Sequence, residues 1–178
     1  MSSFDFTRDH FALFNLKPTF ALDRSHLDSA YRALQAEVHP DRFAHLAEAE
    51  RRLSLQWATQ VNTAFQALKS PLNRARYLLQ LNGVDTQEET NTAMPADFLM
   101  EQMEWREAIE EHRSTQDINA LETLSRRLQK ETQALHGVLE QQIDKEHDYN
   151  SASLTVRKLK FLEKLDEEIS GAIEAALG

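Results

Sequence analysis

The sequence contains no cysteine, and only four glycines and four prolines in 178 residues. Without thiols the chain forms no disulfide, binds no metal through thiolate and uses no cysteine nucleophile. So few glycines and prolines favour helices over a β-rich fold. A transmembrane helix needs about twenty consecutive apolar residues, and no apolar run in this sequence approaches that length. These absences predict an all-α, soluble, cytoplasmic protein of one or two compact domains.

Motifs that activate a nucleophile or hold a phosphate are also missing. The sequence has no G-x-S-x-G nucleophile elbow and no Walker-type glycine loop, although serine and threonine are plentiful. We therefore expect a protein that is not an enzyme and that needs no cofactor.

Charge divides the chain into two chemically different parts. Residues 1–80 carry a balance of +2 and residues 81–178 a balance of −11, which together make the net charge of −9. Nucleic-acid binding draws most of its affinity from cations that contact phosphates. The acidic second part therefore argues against DNA or RNA as a partner.

Periodic apolar residues predict helices on both sides of a polar linker at 82–95. Before the linker, one set of apolar residues at helical spacing precedes Pro40 and a second set follows Pro40; these two sets are called stripes. A short helix is expected after Pro71. A further short helix is expected at 11–16. The two stripes consist of Leu27, Tyr31, Leu34 and Val38, and of Leu53, Trp57, Val61, Ala64 and Leu68. After the linker, helices are expected at about 96–113, 117–144 and 151–176, and three such helices most simply pack as a bundle.

The tripeptide His39-Pro40-Asp41 lies between the first two stripes. Proline cannot donate the hydrogen bond that a helix interior requires, and it disfavours helical angles at the residue before it. The first helix must therefore end near Val38, and the loop presents an imidazole and a carboxylate. His39, Asp41, His45 and Glu48 also offer metal-ligand chemistry. Because Pro40 interrupts the helical spacing between the first two, we expect no metal site there.

The helix that begins at Ala96 carries two apolar faces. Phe98, Trp105 and Ile109 lie within about 40° of one another at 100° per residue and define the core face. A second set lies away from them, followed by acidic side chains; an apolar patch rich in methionine suits protein binding. This set comprises Leu99, Met100 and Met103, with Glu104, Glu107, Glu110 and Glu111 downstream. In the last helix, Phe161 is likewise about 100° from the centre of its stripe, so we expect it to lie outside the core.

The first eighty residues resemble a J-domain, the module that stimulates ATP hydrolysis by DnaK-type chaperones. The similarity rests on His39-Pro40-Asp41 together with an ordered set of flanking matches: Tyr31-Arg32, Leu34, Arg42, Val61-Asn62, Ala64-Phe65, Leu68, Pro71, Arg74 and Tyr77. The resemblance implies an antiparallel helical hairpin over 1–81 that contacts the chaperone through His39, Pro40, Asp41, Arg32 and Arg42.

Nearly the whole chain is similar to the HscB family of J-type co-chaperones of iron–sulfur cluster assembly. This similarity rests on three stretches, at 74–79, 98–104 and 156–162. It implies an HscA-like ATPase partner for the J-domain and an IscU-like scaffold partner for a three-helix bundle at 96–178. By position, the scaffold-binding residues are Leu99, Met100, Met103, Glu104, Glu107, Glu111 and Phe161. The chain alone is expected to be monomeric.

Two other functions fit the same residues. A passive helical adaptor would bind an unrelated protein through its acidic bundle, and its tripeptide would be incidental. A J-protein with a different client would keep the loop function and lose the link to the scaffold.

Overall fold

Helices supply all of the regular structure in the computed structural model, which describes residues 5–88 and 94–178. The predicted all-α class is confirmed. Within the described ranges the α-helices are α1 (His10–Leu13), α2 (Arg24–Val38), α3 (Glu48–Lys69), α4 (Pro71–Leu81), α5 (Ala96–Ser114), α6 (Ile118–Glu140) and α7 (Tyr149–Leu177). A 3-10 turn at Pro40–Phe43 follows α2, and a π-helical turn at Gln141–Lys145 extends α6. None of the helices in these ranges has the length and apolar character of a membrane span.

The chain forms two compact units, Met1–Leu81 and Asn82–Gly178. In the first unit, α3 packs against α1, α2 and α4. In the second, α5, α6 and α7 each pack against the other two. Each helix thus buries its apolar stripe against a neighbour, which none of them could do alone.

Of the predicted linker, residues 89–93 lie outside the described part of the chain. Its start is set by Gly83, whose φ of 72° lies in the left-handed region that commonly ends a helix. Further on, the Thr86 carbonyl accepts a hydrogen bond from Arg157 Nη1 of α7 at 3.2 Å. This part of the segment is therefore attached to the second unit.

Aspartate side chains begin four of the helices. In each case a carboxylate oxygen accepts a hydrogen bond from the backbone N–H three residues later, which satisfies a donor that the helix leaves unpaired. The capping residues are Asp9 for α1, Asp23 for α2, Asp117 for α6 and Asp148 for α7.

The extents of the helices agree with the sequence periodicity at most ends. The helix expected at 117–144 is α-helical only to Glu140 and continues as the π turn. The helix expected at 11–16 is a single turn, α1, because Asn15 adopts a φ of 55° and ends it.

Leu53 is an exception to the predicted core. Trp57, Val61, Ala64 and Leu68 are buried as expected, whereas Leu53 is 45% exposed. The buried face of α3 is rotated toward Ser54 and Phe65, which leaves Leu53 at its edge. Ser54 tolerates burial because its hydroxyl donates to the Arg51 carbonyl at 2.8 Å.

Arg74 of α4 connects three segments of the first unit. Its side chain is buried, and its guanidinium donates to the Phe20 carbonyl through Nε and to the Leu68 carbonyl through Nη1, both at 2.8 Å. The same group lies 5.0 Å from the centre of the Phe20 ring. A planar group with several fixed donors makes these contacts together, which a lysine cannot do.

We expect Arg74→Lys to destabilise the first unit by about 1–3 kcal/mol, since it leaves a buried carbonyl without its donor. Urea unfolding followed by hydrogen exchange of the α3 amides measures the change. Arg76→Lys, in the half-buried neighbour that bonds Asn73, is the matched control and should stay within about 0.5 kcal/mol. Equal effects of the two substitutions would contradict the role given to Arg74.

His10 packs against Tyr77 in the first unit, in surroundings that change the pKa of its imidazole. Its ring stacks on Tyr77 at 4.2 Å, and its backbone N–H donates to the Tyr77 hydroxyl at 3.0 Å. Burial lowers the pKa of the His10 imidazole, and the charge of Asp9 offsets this only in part. The unfolded chain therefore binds a proton at a higher pH than the folded one does.

The free energy of unfolding of the first unit should therefore fall as the pH drops below about 6.5, the ordinary pKa of histidine, and level off below the lowered pKa. His10→Phe keeps an aromatic ring against Tyr77 and removes the titration. Urea unfolding across this range should show a shallower decline for the variant, and parallel pH profiles would count against His10 as the source.

Candidate functional site

The His39-Pro40-Asp41 loop, called the HPD loop below, is shaped by its own backbone. α2 ends at Val38 as predicted, and His39 has an extended conformation with φ −57° and ψ 130°. Pro40 then opens the 3-10 turn, a position where its missing N–H removes no hydrogen bond. The Pro40 side chain lies outside the described part of the structure.

His39 and Asp41 lie together at the surface. The Asp41 N–H donates to His39 Nδ1 at 3.3 Å, so the imidazole caps the 3-10 turn. Asp41 Oδ2 lies 3.5 Å from the same ring nitrogen, and the Asp41 side chain is 91% exposed. The carboxylate is thus held in a defined turn with most of its surface open to solvent. The described residues contain no cluster of three or more potential metal ligands.

The two arginines assigned to this loop differ in their surroundings. Arg42 Nη1 donates to the Ala36 carbonyl near the end of α2 at 3.2 Å. Its backbone N–H donates to the His39 carbonyl at 2.9 Å. Arg32 is an exposed residue on α2, two helical turns before His39. Arg42 therefore fastens the loop to α2 and supplies charge, whereas Arg32 supplies charge alone.

A second exposed feature lies on α5 in the other unit. Leu99, Met100 and Met103 are 43%, 65% and 64% exposed, while Phe98 and Trp105 of the same helix are buried. We call these three exposed residues the α5 patch. The separation of core face and outward patch that helical spacing predicted is confirmed for α5.

Acidic side chains continue the α5 patch along the helix. Glu104 follows Met100 by one turn, and Glu107 and Glu111 extend the same row; all three are exposed. Glu110, on the neighbouring row, pairs with Arg113 at 3.5 Å. The patch therefore has a negative border on its C-terminal side.

Phe161 lies inside the bundle, so the prediction that it lies outside the core is wrong. It is 9% exposed and meets Phe98 edge-to-face, with 5.6 Å between ring centres. The angular estimate failed because α7 is packed by both α5 and α6, so its buried face is wider than a single stripe. The Phe161 ring packs against α5 from the interior of the bundle, and it is not exposed together with the α5 patch.

Sequence reasoning missed Arg106. Its guanidinium lies 5.7 Å from the centre of the Phe161 ring, and it stands one turn beyond Met103 on α5. A cation within about 6 Å of an aromatic face is attracted to it. Its i,i+3 spacing from Met103 indicates that Arg106 lies beside the α5 patch. Its contact with Phe161 could not be predicted from that spacing, because Phe161 belongs to another helix.

Comparison with known proteins agrees over nearly the full length. A family model described as "HSCB C-terminal oligomerisation domain" matches residues 94–170. The co-chaperone protein HscB homolog of Chromobacterium violaceum is 57% identical over 173 residues, which cover 97% of this chain and 98% of that protein.

Two solved structures share the fold. The chaperone HscB from Vibrio cholerae is 36% identical, with a TM-score of 0.85 over 95% of this chain and 99% of that one. Human co-chaperone protein HscB is 30% identical, with a TM-score of 0.87 over 93% of this chain and 82% of that one. On this evidence the chain belongs to the HscB family of co-chaperones.

Proposed function

We propose that this chain is a cytoplasmic co-chaperone of iron–sulfur cluster assembly, which stimulates an HscA-like ATPase and delivers to it an IscU-like scaffold protein. The observation that carries the proposal is the presence, in one HscB-type chain, of an exposed HPD loop in one unit and an exposed apolar patch in the other. In this proposal the chain itself turns over no substrate and holds no cofactor.

The HPD loop is proposed to contact the ATP-bound chaperone. Asp41 would meet a cationic group there, and its 91% exposure leaves it available to do so. His39 caps the turn, and Arg42 fastens it to α2. A preformed loop loses little conformational entropy on binding. Arg32 and Arg42 would contribute charge complementarity, which mainly affects association rate and specificity.

The α5 patch is proposed to bind the scaffold. Its unbranched thioether side chains can adapt to a partner surface, and their exposure means that binding would remove apolar area from water. Glu104, Glu107 and Glu111 would contact polar or cationic groups around the apolar centre. Phe161, buried behind α5, would act mainly by holding that helix in place and would contribute at most its exposed edge.

The two contacts together suggest how the protein works. A chain that holds the scaffold and the ATPase at once raises the effective concentration of one for the other without any new contact between them. ATP hydrolysis stimulated by the loop would then trap the scaffold on the chaperone and favour release of its cluster. Because thiolates are the usual cluster ligands and this chain has no cysteine, the cluster stays on the scaffold in this scheme.

His39→Gln should abolish stimulation of the HscA-like ATPase, because it removes the ring nitrogen that caps the 3-10 turn. Steady-state ATP hydrolysis measures this, with chain and scaffold added singly and together. The native chain should raise the rate, and more so with scaffold present, whereas the variant should leave it at the basal value.

The matched control is His45→Gln, in an exposed histidine shortly after the same turn, which should stimulate normally. Binding of scaffold by His39→Gln should remain native. Stimulation that is indifferent to scaffold would identify a J-protein with a different client. Absence of stimulation by the native chain would leave only the passive adaptor.

Met100→Ser with Met103→Ser should weaken scaffold binding and leave the bundle folded, because both side chains are exposed. Loss of two apolar side chains from a contact costs about 2–3 kcal/mol, and the dissociation constant is then expected to rise roughly 30- to 150-fold. Isothermal titration against the scaffold measures the change.

Two comparisons make this result specific to the α5 patch. Val138→Ser, at a 41% exposed position on α6, should bind normally. Phe161→Ser should instead lower the unfolding temperature of the bundle, since it removes a buried ring. Sedimentation of the chain alone should give a monomer; a dimer broken by the double substitution would mean that the patch joins two copies.

A further inference from the structure

Two of the methionines in the described part of the chain lie in the α5 patch, where oxidation would change the binding surface. Of the four methionines, Met100 and Met103 are 65% and 64% exposed in the α5 patch, whereas Met94 is half-buried against the core of the second unit. The chain has no cysteine, so no thiol of its own competes for an oxidant. We propose that Met100 and Met103 are sites of reversible oxidation by hydrogen peroxide, and that their sulfoxides release the scaffold; this rests on the function proposed above.

The chemistry needs only peroxide and a side chain that peroxide can reach. The thioether sulfur attacks one peroxide oxygen, the O–O bond breaks, an S–O bond forms and the second oxygen leaves as water after a proton shift. Sulfur is oxidised by two electrons and the peroxide is reduced by two. Methionine sulfoxide reductases reverse the step at the expense of two thiols, which become a disulfide while the oxygen leaves as water.

The surroundings of the two sulfurs make the sulfoxide unfavourable in a contact. Oxidation turns an apolar side chain into a strong hydrogen-bond acceptor. One turn on from Met100 lies Glu104, whose carboxylate when ionised accepts hydrogen bonds and donates none. A Met100 sulfoxide buried beside it under the scaffold would lack a donor from it, which disfavours the complex. Met103 has Glu107 at i+4 and the donor Arg106 at i+3, so there the loss of affinity comes from placing a polar sulfoxide in an apolar contact.

The fold should survive the same oxidation. Phe98, Trp105 and Ile109 hold α5 to the bundle, and neither Met100 nor Met103 belongs to that core. Oxidation of these two would therefore change what the patch binds without unfolding the domain.

The test oxidises the full chain with hydrogen peroxide, removes the excess with catalase and only then adds scaffold. Peptide mass spectrometry should show Met100 and Met103 gaining one oxygen each before Met94 does. Titration calorimetry should show scaffold binding weakened on the order of tenfold or more. Methionine sulfoxide reductases A and B should restore it, and circular dichroism should show an unchanged helical content.

Met100→Leu with Met103→Leu keeps apolar volume and removes the sulfurs. The readout is the change in scaffold affinity that peroxide causes within each variant, whatever the starting affinity. Peroxide should leave the affinity of the double leucine variant unchanged, while Met94→Leu, the matched control, should lose affinity as the native chain does. If the untreated chain binds scaffold and the oxidised chain binds it equally well, the oxidation proposal is overturned and the proposed function is not. Untreated chain that fails to bind scaffold would overturn the proposed function and this proposal with it.

Discussion

The end of α2 at Val38 is the constraint from which the first unit takes its shape. Proline at position 40 cannot continue a helix and keeps His39 out of helical angles, so the chain must turn between α2 and α3. The turn becomes a short 3-10 segment capped by the His39 ring and fastened by Arg42 to the Ala36 carbonyl. Asp41 contributes its backbone N–H to this turn, and its side chain stays 91% exposed.

Holding this turn in place requires two helices that do not slide against each other. The rings of Tyr31 on α2 and Phe65 on α3 stack at 3.9 Å, and the Tyr31 hydroxyl donates to Asn62 at 2.7 Å. Arg74 ties the segment before α2 to the end of α3. Polar contacts of this kind specify one arrangement, because a buried carbonyl that loses its donor is costly.

In the second unit one helix has two roles that require opposite surfaces. α5 contributes Phe98, Trp105 and Ile109 to the core and turns Leu99, Met100 and Met103 outward. A helix can do both because residues about 100° apart face different directions, so neighbours in sequence such as Phe98 and Leu99 need not share an environment. Side chains on the outward face do not pack in the core, so they are available for binding and are also accessible to chemical modification.

Local rules were sufficient where a single helix decided the outcome. Composition predicted the all-α class, Pro40 the end of α2, and 3.6-residue periodicity the outward patch of α5, since each depends on the local backbone geometry of one segment.

Tertiary contacts decided the features that these local rules did not predict. Leu53 lies at the edge of the core because the buried face of α3 is rotated toward Ser54 and Phe65. Phe161 lies inside the core because α7 packs against both α5 and α6. Arg42 and Arg106 found partners on other elements, at Ala36 and Phe161. Periodicity and proline placement locate the helices and most of their ends, because both act along a single segment of chain. The packing of helices sets how wide each buried face is, because that width depends on the number of neighbours a helix has.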